Sequence, residues 1–217
     1  MKSLFLSIAL SFCLISVFAQ QINLNDFSGR PVIVPKETFE AEGSPFFPED
    51  GFLYAKVFLV NKTYLPRIQV KLNLLTNTWY FLSDKNELLQ STIPTTRVLF
   101  ENGTVFESGI KGLDKLPETA FFQVMDTGRC TLLKHTVITY VDSKGYNSNT
   151  IVRQFFRQDK FILRKDNVLA RIEKIDDILN FLSDKRAELS EFIQKNSIRL
   201  KKSEDFQKIC FFYNQLH

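Results

Sequence analysis

The stretch FFQVMDTGRCTLLKHT, Phe121 to Thr136, sets three chemically tempting features side by side: Asp126-Thr127-Gly128, Cys130 and His135. Either they form a catalytic or metal-binding cluster, or they are the tip and flanks of a β-hairpin. Spacing favours the hairpin. Cys130 and His135 stand five positions apart, so a continuous strand sends their side chains to opposite faces of the sheet, whereas a thiol nucleophile and its base need hydrogen-bond reach. Asp-Thr-Gly after apolar residues is the local signature of aspartic peptidases, but that chemistry takes two carboxylates close enough to share a proton. The one nearby counterpart, Asp142-Ser143-Lys144, carries Lys144 where glycine belongs. Arg129 replaces the small residue that usually follows the motif, and no apolar-apolar-Gly segment lies downstream to support a flap. The stretch therefore reads as two strands, Phe121–Met125 and Cys130–Thr136, joined by a turn in which Gly128 supplies the unusual backbone geometry. Cys130 reads as a small buried residue and His135 as a surface strand residue.

Upstream, the same strand-turn-strand pattern runs back to Gly51. Gly51–Val60 is rich in aromatic and β-branched residues, Asn61-Lys62 turns it, and Arg67–Asn73 alternates polar with apolar at period two. Thr76-Asn77 and Asp84–Asn86 are further turns around the strand Thr78–Leu82. Asn102-Gly103 between Val98–Glu101 and Thr104–Glu107 predicts a hairpin with a type I′ turn. Asn61-Lys62-Thr63 and Asn102-Gly103-Thr104 also match the N-glycosylation pattern, although turn formation alone accounts for both. Gly109 to Glu118 reads as a loose connection. Downstream, Cys130–Val141, Thr150–Phe156 and Lys160–Arg164 read as strands, with a polar loop at Ser143–Asn149. Residues 160 to 182 read two ways. Apolar residues at 168, 172, 175, 179 and 182 make a helical stripe, while FILRKDNVLARI, Phe161 to Ile172, reads as a hairpin turning at Asp166-Asn167, which tolerate left-handed geometry. The hairpin is preferred.

The tail changes period. Apolar residues from Leu179 onward recur at helical spacing, with a first helix capped near Asp176 or Asp177 and a reset at Ser183-Asp184. Leu189, Phe192 and Ile193 form the face of the next helix, which ends at Lys195-Asn196. Ser203 is the expected cap of a final helix carrying Glu204 and Asp205 in its first turn. Its inner stripe is Phe206, Ile209, Cys210, Tyr213 and Leu216.

The opposite end reads MKSLFLSIALSFCLISVFAQQ. A positive Lys2, an apolar run from Leu4 to Phe18 and Val17-Phe18-Ala19 ahead of Gln20 make the three parts of a cleaved secretory signal. The run is shorter than the about 20 residues of a transmembrane span, and Cys13 follows Phe12 in mid-run, which is poor context for a lipobox. Removing residues 1–19 of 217 leaves about 198, enough for one fair-sized domain or two small ones. With 28 basic residues against 24 acidic ones interleaved along the chain, the surplus is too small and too scattered for a nucleic-acid-binding face.

After cleavage only Cys130 and Cys210 remain. An exported compartment permits their pairing, but pairing needs Cα atoms within about 7 Å, and the preferred expectation is two separate buried thiols. Two histidines, one of them the terminal His217, offer no zinc-ligand spacing. Neither a Gly-rich phosphate loop nor G-x-S-x-G is present. No catalytic, cofactor-binding or metal-binding residue is assigned, and no cofactor is expected. The 22 phenylalanines fall largely at alternating strand positions and so read mainly as core, although Phe46-Phe47, Phe121-Phe122 and Phe155-Phe156 each put one ring outward if they lie on strands.

Four segments resemble an uncharacterised family of secreted Bacteroidetes proteins. They are Gly43-Ser44-Pro45-Phe46, the aromatic-aromatic-x-Val-Leu-x-x-Gly-x-x-x-Leu-Leu-Lys stretch at 121–134 (with Met125 in place of Leu), the hairpin at 161–172 (with Asn167 in place of Gly), and a tail ending near Tyr213-Asn214. The resemblance implies export and a β-rich domain with a helical tail, and supplies no activity. The expected fold is α+β: a mostly antiparallel sheet or partly closed barrel followed by two to three C-terminal helices. The expected layout is a signal at 1–19, a polar leader at 20–42, a β-rich domain at 43–175 and a helical segment at 176–217 packed on it. The expected function is a non-enzymatic binding or cell-envelope module, soluble after signal cleavage, with a protein or envelope partner and no nucleic acid. The alternatives are an envelope hydrolase with an unlocated site and a β-barrel carrier of a small apolar ligand.

Overall fold

A computed structural model describes residues 29–31, 39–113, 116–144 and 150–216. The expected signal at 1–19 lies outside them. The strands are β1 Gly29–Pro31, β2 Phe39–Glu42, β3 Phe46–Phe47, β4 Leu53–Leu59, β5 Tyr64–Asn73, β6 Thr78–Leu82, β7 Leu88–Ser91, β8 Thr95–Phe100, β9 Val105–Glu107, β10 Phe122–Asp126, β11 Thr131–Lys144, β12 Ile151–Lys165 and β13 Val168–Ile172. The helices α1 Ile175–Phe181, α2 Arg186–Lys195 and α3 Ser203–Gln215 follow, with one 3₁₀ turn, Ser183–Lys185, between the first two. The fold is α+β, one strand-rich mixed sheet followed by three helices, and the sheet is open rather than closed into a barrel.

The sheet runs β1-β7-β6-β5-β4-β8-β9-β10-β11-β12-β13, with β3 on β5 and β2 on β12. All these pairings are antiparallel except that of β2 with β12. Residues 20–42 are thus more than a leader, since they supply an edge strand on β7 and a parallel strand on β12. Of residues 20–42, only 29–31 and 39–42 fall among the described residues. Pro66 sits where β5 slips register against β4, between Ala55↔Ile68 and Val57↔Leu65. A bulge is where a strand tolerates a residue with no N–H to give.

Turn chemistry separates the two hairpins read from sequence. Asp166 and Asn167 have φ of 50° and 63° and Lys165 pairs Val168, the two-residue turn with both central residues left-handed. At Asn102-Gly103 only Gly103 is left-handed (φ 85°), the Gly103 N–H bonds to Phe100 O, and the Phe100 N–H bonds to Thr104 O. The type I′ expectation is therefore corrected to a three-residue loop, a type I turn closed by a glycine bulge. The Asn102 side chain favours this form by accepting the Thr104 N–H at 3.0 Å.

β12 is continuous where two strands were expected. Its polar middle, Arg157-Gln158-Asp159, keeps its ladder with Val137, Ile138 and Thr136 because those side chains lie at the surface and need no apolar character. Both helix starts also differ from expectation. The first helix begins at Ile175 after Lys174, and Asp177 reaches back to the Glu173 and Lys174 N–H groups at 2.9 and 3.0 Å. The last is preceded by Lys202, so Ser203 is its first residue rather than its cap, and Asp205 takes the Lys201 N–H at 3.0 Å. In each case a carboxylate at the third helical position reaches back to N–H groups at or before the cap, as the returning half of a capping box does.

Apolar residues bury in three places. The main core lies on the inner side of β4–β9 and includes Val57, Val70, Phe81, Val98 and Phe106. A second core joins Leu132, Phe161, Leu163 and Ile172 to the inner stripes of the helices, including Leu189, Ile209 and Tyr213. A small third one, Ala120, Phe122, Leu133 and Ile162, lies under the Gly109–Glu118 connection. Each large apolar side chain fully buried is worth about 1.5–3 kcal/mol, so the stripe of α3 fixes that helix to the sheet. The inner residues of the helices share the second core with β11–β13.

Candidate functional site

The opening stretch resolves into structure rather than chemistry. Val124 pairs Leu133 and Asp126 pairs Leu132, so a bulge lies at Met125 and Asp126 ends β10. One Asp126 oxygen accepts the Thr127 N–H at 2.9 Å and the other accepts the Asn214 amide at 3.3 Å. Its two oxygens are used to hold the turn, with no partner carboxylate among these bonds. Gly128 is not in the left-handed region, which corrects the expectation that it supplies unusual backbone geometry. Glycine is required because a Cβ there would stand 2.5 Å from Asn214 Cγ. Asn214, on the last turn of α3, also accepts the Cys130 N–H at 2.9 Å and donates to Cys130 O at 2.9 Å. The tail thus grips the turn through the Asn214 amide, and the Gln207 amide adds a bond to Met125 O at 3.1 Å.

His135 is 6% exposed and not a surface residue, because the 109–120 segment covers that face of the sheet. Its Nδ1 carries the proton and donates to Phe121 O at 3.1 Å, and its ring lies 5.2 Å from that of Phe122. Burial holds its pKa below the ordinary imidazole value, against the Phe121 carbonyl and with help from Arg171. Cys130 joins the helix-side core instead, so thiol and imidazole are on opposite sides of the sheet, as their spacing required. The expectation of two unpaired buried thiols agrees with the structure. Cys130 and Cys210 are both free and buried, and they share one core, with Cys210 Sγ 3.6 Å from Cys130 O. Among the described residues no group of three or more His, Cys, Asp or Glu side chains is placed to hold a metal ion. Of the three aromatic pairs singled out, Phe121 and Phe122 are buried, Phe46, Phe47 and Phe155 are half-buried, and Phe156 is exposed.

A ligand-sized feature occurs elsewhere, where β6, the β7–β8 connection and the segment after β9 meet. A cleft of about 270 Å³ is walled by Trp79, Ile93, Pro94, Val60 and Phe121 and rimmed by Thr78, Ser91, Thr92, Ser108, Glu118 and Thr119. Its frame is hydrogen-bonded. The Trp79 indole donates to Ile93 O at 3.2 Å, Ser91 Oγ donates to the same carbonyl at 2.9 Å, and the Gly109 N–H bonds to Glu118 O at 2.7 Å. Asn77 Oδ1, at the edge of the cleft, is buried without a hydrogen-bond partner. Sequence reading placed Trp79 on a strand but could not find the cleft, because its walls come from segments 60 to 121 that only the sheet order brings together.

A second exposed feature is the far end of the β11–β12 pair. Residues 139–144 are all exposed, and Tyr140, Val141, Ile151 and Phe156 are among the large apolar side chains left at the surface. One face of this arm is held by Arg153, which lies 4.2 Å from the rings of both Phe39 and Tyr140 and grips Asp142 through two bonds of 2.6 and 2.7 Å. That guanidinium pair keeps the Asp142 carboxyl below its ordinary pKa. Among the described residues no helix is long and apolar enough to cross a membrane. No family model, curated protein or solved structure matches the chain.

Proposed function

We propose that the chain is an exported binding module that takes a small amphipathic molecule into the Trp79 cleft, and that it is one of the secreted Bacteroidetes proteins it resembles. Export is supported by the charged, apolar and small-residue order of residues 1–19. The observation that carries the binding reading is the cleft itself, with apolar walls, a hydroxyl-bearing rim and a volume of about 270 Å³. Ligand sites are commonly concave and mostly apolar, with a few fixed polar groups, and run from about 300 Å³ upward. This one suits a single small ring with an apolar face and one or two hydroxyls. A donor on the ligand that reached Asn77 Oδ1 would also offset an unpaired acceptor, a cost of about 1–3 kcal/mol.

Trp79 is the chain's only tryptophan, so its emission reports on the cleft directly. Titration with cyclohexanediols and methylated monosaccharides should give a saturable change in Trp79 fluorescence and a matching rise in thermal midpoint. Filling the cleft from its rim with Thr119→Phe should abolish both. Emission that stays flat to millimolar concentrations across both classes overturns the reading.

The exposed apolar side chains of the β11–β12 arm favour a second reading, attachment to a protein or cell-envelope partner through that arm. It is compatible with the first, since the arm does not line the cleft.

A further inference from the structure

Cys130 precedes β11 at its very start and Cys210 lies on the inner stripe of α3, 80 residues later. Both side chains are almost fully buried, at 0% and 1% exposure, in the core that joins helices to sheet. Cys210 Sγ approaches Cys130 O at 3.6 Å, and Cys130 Sγ lies 4.0 Å from Thr131 O in the same core. Asn214 fixes the pair from above. Its amide binds both the N–H and the carbonyl of Cys130 and lies 3.8 Å from Cys210 Sγ. Two elements far apart in sequence are thus held together where the Cys210 thiol meets the Cys130 backbone. A protein that needed only small apolar side chains there would be served by alanine or valine.

We propose that Cys130 and Cys210 are the two halves of a disulfide that staples α3 to the start of β11 when the chain folds in an oxidising compartment. The oxidant is a low-molecular-weight or protein-borne disulfide, and the step is two successive thiol–disulfide exchanges. The thiolate of one cysteine attacks a sulfur of the oxidant, forming a mixed disulfide and releasing one oxidant thiolate, which takes up a proton. The second cysteine's thiolate attacks the protein-side sulfur of that mixed disulfide and expels the other oxidant thiolate. Each thiol loses a proton, the protein loses two electrons, and the oxidant is reduced to two thiols.

Timing follows from burial. The neighbouring Cys130 thiol, followed by burial, pushes the Cys210 thiol well above its ordinary value, so in the docked state it is a poor nucleophile. The bond therefore forms while α3 is still undocked. Once closed, it is shielded from reductants by the same core. The staple rests on the export reading for its oxidising surroundings and is independent of the Trp79 cleft.

The test uses the full chain, reduced and unfolded, then refolded in a mixture of oxidised and reduced glutathione that supplies the oxidant whether or not the cell exports the protein. Alkylation followed by non-reducing digestion and mass spectrometry should yield a peptide linking Cys130 to Cys210, with Cys13 serving as a third, unpaired thiol for comparison. Closing a loop of this length should raise the thermal midpoint by roughly 10 °C over the reduced protein, and adding oxidant to protein already folded in reductant should form the link far more slowly. The double variant Cys130→Ala/Cys210→Ala should fold and match the reduced form, showing no glutathione dependence of its midpoint. Refolded protein with both thiols free, or carrying only glutathione adducts, overturns the proposal. A link that forms without raising the midpoint above the reduced form also overturns it, because the bond would then strain the native geometry.

Discussion

β11 and β12 form one uninterrupted ladder from Thr131↔Arg164 to Lys144↔Ile151, yet its two ends live in different solvents. At the first end Leu132, Leu133, Ile162 and Leu163 are all nearly fully buried, because helices cover one face and the 109–120 segment the other. At the second end every β11 residue from 139 onward is exposed. The backbone pairing is the same and both ends carry apolar side chains, so strand character alone does not decide burial. What decides it is whether another part of the chain arrives to cover the ladder, and at the buried end that part is α3, docked through Asn214.

The most severe way to break that contrast is to remove the docking amide. Asn214→Ala leaves the N–H of the fully buried Cys130 without its partner and the Cys130 carbonyl with only the Cys210 thiol at 3.6 Å. Leaving buried groups unsatisfied costs about 1–3 kcal/mol each, so a total loss of about 2–4 kcal/mol is expected in chemical denaturation. Gly128→Ala should cost about 2 kcal/mol by forcing the same amide aside. The double variant sharpens the point. With Asn214 gone, the added methyl meets nothing of it, so the two losses should fail to add by more than about 1 kcal/mol. Additive losses would mean that Gly128 is required by something other than Asn214.

The same junction shows how much was legible beforehand. Each half was readable, because Phe121–Thr136 has hairpin pattern and Phe206–Leu216 has helical period. The positions of the turns at Asn61-Lys62, Thr76-Asn77 and Asp166-Asn167 followed from local chemistry, and their left-handed residues Lys62, Asn77, Asp166 and Asn167 agree. What local chemistry could not supply was contact between segments 84 residues apart. Gly128 was therefore given a backbone role that it does not have, and His135 was placed at the surface because the covering loop carries no periodic signal. Even the four resembling segments gain meaning only in space. Gly43-Ser44-Pro45-Phe46 crosses from β12 to β5, with Arg157 binding Ser44 O and Phe46 O, and Gly43 lies where a Cβ would be 3.1 Å from Phe155 O. The Tyr213-Asn214 tail meets the Gly128 turn in the same manner. Trp79 was visible as a strand residue, while its cleft was not, since no single segment of the sequence contains two of its walls facing each other.

A smaller effect is expected where the buried end meets the helices at its rim. Asp184 accepts the Lys165 ammonium and the Tyr213 hydroxyl, each at 2.8 Å, joining the end of β12 to the 3₁₀ turn and α3. Partial burial acts against its charge, but the bonds from Lys165 and Tyr213 prevail and hold the carboxyl at about 2, below its ordinary value of 3.8. A carboxyl held low in the folded state stabilises above its unfolded pKa, and that contribution disappears as pH falls from about 4 toward about 2. Asp184→Asn should cost about 1 kcal/mol at neutral pH, discounted because the pair is partly exposed and screened. The difference between wild type and variant should shrink to nothing over that acid window. A difference that persists at pH 2 would assign the effect to side-chain shape and not to charge.

The exposed end should answer most weakly. Val141 is 58% exposed and Ile151 is 38% exposed, so neither side chain belongs to a buried core. Threonine keeps the β-branched shape that suits a strand, so Val141→Thr and Ile151→Thr should each change stability by less than about 0.5 kcal/mol. The arm is held instead by its ladder and by Arg153 between Phe39 and Tyr140. A loss above about 1 kcal/mol in either variant would show that these side chains are covered in solution, and a dependence of that loss on protein concentration would identify the cover as a second copy. If stability is indifferent, the apolar surface contributes nothing to the fold of its own chain, which is the condition under which a partner can use all of it.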